Sequence, residues 1–99
     1  MDDAELLNLL RDCYDPVLRR NIVDAGLIRS ATLLRDDDAP GAGIAGVPPR
    51  YVAKITLLAP GADEVANAQL TAQIENRLLG LEAISQVTVT LLPALFPIL

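Results

Sequence analysis

Two runs of alternating residues flank one helical stripe, and that order leaves few folds open to the chain. Ala66, Leu70, Ile74, Leu78 and Leu81 recur at intervals of four, four, four and three, the spacing that lines one side of a helix. Before them, Tyr51, Ala53, Ile55 and Leu57 alternate with Val52, Lys54, Thr56 and Leu58. After them, Val87, Val89 and Leu91 alternate with Gln86, Thr88 and Thr90. A period of two predicts strands over 51–58 and 84–92. A strand, a helix and a strand in succession close as a right-handed crossover, which makes the two strands parallel neighbours. With 99 residues the chain can bury one hydrophobic core and not two, so residues 1–99 are read as a single domain.

The remaining segments arrange themselves around that unit. The aliphatic and β-branched run from Ile28 to Arg35 predicts another strand, with Ala31 and Leu33 on one face and Ser30 and Thr32 on the other. Residues 36–50 hold three Asp, three Gly and three Pro without periodicity, so they form a loop insertion, long enough to be either functional or mobile. Leu6, Leu7, Leu10, Cys13 and Tyr14 recur at spacings of three and four and predict an opening helix capped by Asp2 or Asp3. Pro16 stops it. Asp15 as N-cap and Pro16 in the first position predict a short second helix through about Ile22, ended by Gly26. Pro60-Gly61 marks a turn, the long helix begins near Ala62 or Asp63, and Gly80 caps its end.

The predicted fold class is therefore α+β, in the order helix, helix, strand, strand, helix, strand, with a three-stranded mixed sheet and helices packed on one face. The other face is polar only in part, since Leu58 and Leu92 stand beside Ser30, Thr32 and Thr88. A second copy of the domain or a partner is expected to cover it. The uncharged tail from Pro93 to Leu99 either completes the core or makes such a contact.

Charge and composition exclude several classes of function. A net charge of -5, with Arg19-Arg20 as the one adjacent basic pair, opposes binding to nucleic acid and to anionic membranes. No apolar run is long enough to span a bilayer, and Asp2, Asp3 and Glu5 stand where a secretory signal carries positive charge. One cysteine cannot form an intrachain disulfide, which agrees with a reducing, cytoplasmic setting. Without histidine the chain lacks the usual base near neutrality, and no Ser-His or Cys-His set exists, so no enzyme is expected. Asp36-Asp37-Asp38 lacks the alternate spacing and closing Glu of a calcium loop. Gly41, Gly43 and Gly46 precede neither a Lys-Ser/Thr pair nor a helix, so they are no phosphate cradle.

The run from Leu10 to Ile28, with Asp15-Pro16 followed by Ile22-Val23-Asp24-Ala25-Gly26-Leu27, resembles the opening signature of the PaaD/SufT-like metal-sulfur cluster assembly family. The ending Val87-Thr88-Val89-Thr90-Leu91-Leu92-Pro93 is similar to that family's last strand, and the predicted element order is similar to its fold. The resemblance spans nearly the whole chain and leaves residues 36–50 as extra length. It implies a site around Cys13, Asp15, Pro16, Asp24 and Gly26. Where the family carries a Thr and then a Cys-Pro pair, this chain has Leu58, Ala62 and Asp63. Val17 replaces the Glu of the Asp-Pro-Glu step, and Leu95 a frequent Trp.

A cluster or zinc site needs several Cys or His ligands converging at about 2.0 to 2.3 Å. One cysteine and no histidine do not supply them, and a symmetric dimer adds a single further thiolate. The expectation is no autonomously bound cofactor, with an iron-sulfur cluster held only transiently with a partner. Cys13 reads either as a small buried hydrophobe or as a surrogate thiol ligand beside Asp15. Asp15 reads as a helix cap and Asp24 as a turn-fixing side chain. The resemblance and the lost ligand positions together imply a non-catalytic accessory or adaptor protein that touches a protein client or a cluster-assembly scaffold. The alternative is a cluster carrier or assembly factor using Cys13 in trans.

Overall fold

The computed structural model describes residues 1–16, 18–59 and 64–93. Helix α1 spans Asp3–Leu10. Its N-cap is Asp2, in extended conformation, whose carboxylate accepts a hydrogen bond from the Glu5 amide at 2.8 Å. Asp3 and Glu5 add negative charge to the positive first turn. Leu6 and Leu10 point into the core and are fully buried. The helix stops at Leu10, earlier than the apolar spacing predicts, so Cys13 and Tyr14 do not continue its stripe. Cys13 is buried nonetheless, because the Cys13 amide bonds back to the Leu10 carbonyl at 3.0 Å and turns the chain inward. Tyr14 is 52% exposed.

The predicted second helix is replaced by a small antiparallel hairpin. Strand β1, Tyr14–Asp15, pairs with β2, Arg20–Asn21. The helix-start chemistry of Asp15 operates for one turn: its Oδ2 accepts from the Leu18 amide at 2.6 Å, and its carbonyl accepts from the Arg19 amide at 2.8 Å. Arg19 then takes a left-handed φ of 56°, which ends any helix. A helix this short gains too little to offset its costly nucleus, and pairing to the rest of the fold prevails. Gly26, expected to end that helix, instead closes the turn before the sheet with a φ of 73°. Val17 lies outside the described residues.

The main sheet matches the expectation. Strands β3 (Ile28–Arg35), β4 (Tyr51–Ala59) and β5 (Ile84–Pro93) lie in the order β3-β4-β5, the first pair antiparallel and the second parallel. Three cross-strand rows face the core: Leu33, Ala53 and Val87; Ala31, Ile55 and Val89; Ile28, Leu57 and Leu91. Helix α2, Glu64–Leu79, lays Ala66, Leu70, Ile74 and Leu78 in the same core. Leu81 packs against the core from just beyond the helix end. Gly80 follows the helix without entering the left-handed region, so it ends α2 by some means other than positive φ. Pro60, Gly61, Ala62 and Asp63, where the sequence predicts the turn and the helix start, lie outside the described residues, as does the tail from Ala94 to Leu99.

Residues 36–50 form a loop, as predicted. Its ends are clamped: the Asp36 amide bonds to the Arg50 carbonyl at 2.8 Å, and Arg50 donates to the Glu82 and Ile84 carbonyls at 3.0 and 3.2 Å. Ser85 donates to the Asp36 carboxylate, so the first residue of the Asp triplet is a structural acceptor. Among the described residues no helix is long and apolar enough to cross a membrane.

Candidate functional site

A chain of backbone hydrogen bonds gathers the singled-out residues at one end of the sheet. The Ile22 amide donates to the Cys13 carbonyl at 3.0 Å, the Leu27 amide to the Ile22 carbonyl at 3.1 Å, and the Leu58 amide to the Leu27 carbonyl at 2.8 Å. Cys13, Asp15 and Pro16 on the hairpin, Asp24 and Gly26 in the following turn, and Leu58 near the end of β4 thus share a neighbourhood. Ala62 and Asp63, which the family resemblance also singles out, lie outside the described residues.

Their side chains nevertheless serve different surroundings. Asp24 is at the surface, with Oδ1 2.6 Å from Arg11 Nη1 and Oδ2 accepting from Asn21 Nδ2 at 2.8 Å. Asn21 Oδ1 in turn accepts from the Asp24 amide at 2.8 Å, a reciprocal arrangement that fixes the turn. The Asn21 hydrogen bond foremost, with the Arg11 charge adding to it, holds the Asp24 carboxyl below the ordinary 3.8. Asp15 is buried, 2% exposed, and its Oδ2 accepts from the backbone of its own turn. Cys13 belongs to the hydrophobic core cluster with Leu6, Leu10 and Ile22. Burial foremost, and the neighbouring Asp12 charge after it, push its thiol above the ordinary 9.0, against a smaller opposing pull from Arg77.

Two residues of α2 hold this end in place and carried no signal readable from sequence. Gln73 grips the Tyr14 backbone from both sides, its Oε1 accepting from the amide at 3.1 Å and its Nε2 donating to the carbonyl at 2.8 Å. Arg77 places Nε and Nη2 3.0 and 2.9 Å from Asp12 Oδ2. Both stand beside the buried stripe at a spacing of four, which the sequence shows, but their partners lie far away in the chain. The hairpin surface that results presents Tyr14, Leu18, Arg19 and Arg20, all exposed.

The donors among the described residues do not assemble a metal or cluster centre. Among the described residues no three His, Cys, Asp or Glu side chains converge. The chain has no histidine, and its one thiol is buried and held protonated. The described clefts lie at the opposite end of β3 and β4, around the loop. One, of about 220 Å³, is lined by Arg35, Asp36, Ile44, Val47 and Arg50 among others. The other, of about 410 Å³, runs between Pro48-Pro49 and Glu82-Ala83. Neither contains a nucleophile paired with a base.

No family model matches the chain. None of the curated proteins matches it either. Among solved structures it is similar to a domain of unknown function, DUF59, from Bacillus anthracis, with a TM-score of 0.67 and 19% sequence identity over 91% of this chain and 73% of that one. The likeness shows the fold: an α+β arrangement like that of the DUF59 domain, with a three-stranded mixed sheet and two helices among the described residues.

Proposed function

We propose that the chain is a non-catalytic adaptor related to metal-sulfur cluster assembly, acting by contact with a protein client or a cluster-assembly scaffold. One observation carries the reading: the hairpin end keeps its framework while its only thiol is packed into the core. The framework residues Asp15, Asp24 and Gly26 each hold backbone or turn geometry, and that architecture positions a surface as well as it positions a ligand. The sequence signature around Asp15-Pro16 supports the connection to cluster assembly proteins, and the DUF59-type fold accords with it. Burial of Cys13 favours the adaptor over a carrier that offers this thiol to a shared cluster, because a ligand must be deprotonated and reachable. A single unpaired cysteine suits the reducing cytoplasm.

The contact surface in this reading is the hairpin, where Tyr14 and Leu18 stand exposed next to two guanidinium groups. Leu18 is 44% exposed, so a charge there spares the core. Crosslinking and pull-down from native cells is expected to recover a metalloprotein or an assembly factor with the unaltered chain and to lose it with Leu18→Asp. Recovery of neither class counts against the proposal, and equal recovery by the variant counts against the hairpin as the contact surface.

A further inference from the structure

The two edges of the main sheet are built differently. On β3 the edge carries Arg29 and Arg35, charges that discourage strand addition. On β5 the residues Ile84–Pro93 carry no charge at all, in a chain whose net charge is -5. Its sequence is rich in Val and Thr, residues suited to strands. Beyond β5 no further strand pairs among the described residues, so its outward amides and carbonyls face away from β4. The register shift opposite Tyr51 and Val52 at one end and Pro93 at the other bound a regular stretch, Gln86–Leu92.

We propose that β5 pairs antiparallel with β5 of a second copy about a two-fold axis at Val89, joining two three-stranded sheets into one. That register is self-complementary. On the core-facing side Val87 meets Leu91 of the second copy and Val89 meets Val89, so apolar rows continue across the junction. On the outer side Thr88 meets Thr90, and Gln86 meets Leu92. The stretch ends before Pro93, which has no amide to donate. Electrostatics permit the pairing: Lys54 stands opposite Thr88 within each copy. The two Lys54 side chains are therefore three strand spacings apart and offset by two residues along the strands, about 16 Å, beyond the screening length of about 8 Å at physiological salt. An isologous contact of this kind closes at two copies, whereas the guarded β3 edge prevents the sheet from growing further.

The inference stands apart from the adaptor reading, since its readout contains no client. Sedimentation equilibrium of the full chain is expected to show a concentration-dependent species of twice 10.6 kDa. Thr88 and Thr90 are exposed on the outer face, so the double substitution Thr88→Glu, Thr90→Glu leaves the core untouched and sets a carboxylate at position 88 opposite Lys54 of its own copy. It sets two like-charged pairs across the axis and is expected to raise the dimer dissociation constant at least about tenfold with an unchanged circular dichroism spectrum. Nuclear Overhauser contacts between Thr88 and Thr90 in a mixed-label sample report the register. A wild-type chain that stays monomeric at every concentration overturns the proposal, as does a folded double variant that dimerises as tightly as the original.

Discussion

Ile74→Ala is expected to destabilise the domain by about 2 to 5 kcal/mol, the range for removing a large aliphatic side chain from a core that cannot close around the gap. Ile74 is fully buried at the middle of the α2 stripe, in one cluster with Ala53, Ile55 and Leu57 of the central strand. The neighbouring turns place Leu70 and Leu78 in the same cluster, so few side chains are free to move inward. A small domain has roughly 5 to 15 kcal/mol of stability in total, so the variant loses a large share of it. Urea titration checks this through a lower midpoint at an unchanged slope. A loss below about 1 kcal/mol would mean that α2 does not hold the sheet as described.

The second large effect concerns the thiol. Cys13 is 1% exposed, so an alkylating reagent reaches it only through an opening of the structure. If that opening approaches global unfolding, the rate falls by a factor of about a thousand or more relative to the chain in denaturant. The raised pKa acts in the same direction, because the thiolate is the reactive form. The sign with pH follows from linkage. The folded state keeps the thiol protonated above its ordinary 9.0, so this contribution to stability is complete below the unfolded value and is lost as pH rises through the folded one. Alkylation thus speeds up with pH as the thiolate fraction grows, but its slowing relative to the chain in denaturant is expected to stay constant up to about the unfolded value and to shrink above it. Labelling at the rate of a free thiol at neutral pH would show that Cys13 is accessible.

What the sequence made legible follows from how far each signal extends along the chain. Strands β3, β4 and β5 repeat every second residue over eight or more positions, and each strand lies where that alternation places it. The α2 stripe likewise spans the helix, and the parallel pairing of β4 and β5 follows from the crossover alone. The first thirty residues behave otherwise. Nothing between Leu10 and Tyr14 has the chemistry of a helix stop, yet α1 ends there, and Tyr14 is drawn into β1 by Gln73, 59 positions away. Asp15-Pro16 does carry a helix start, and the structure uses it for a single turn before Arg19 breaks it. Local chemistry was readable at that point; the tertiary contact that overrules it was not.

The same division applies to the candidate site. The set Cys13, Asp15, Pro16, Asp24 and Gly26 came from the family resemblance and not from the order of elements; backbone hydrogen bonds bring Leu58 beside it through Leu27. The directions of the side chains came from neither. Cys13 turns into the core, Asp15 into its own turn, and Asp24 outward to Arg11 and Asn21. A shared neighbourhood therefore does not become a shared coordination sphere: among the described residues no three donors converge.

Anaerobic incubation with iron, sulfide and reductant, followed by desalting and absorption spectroscopy, tests whether that framework still handles a cluster. The account predicts a colourless protein whose spectrum is the same for wild type and Cys13→Ser. A brown chromophore retained with stoichiometric iron and abolished by Cys13→Ser would contradict it.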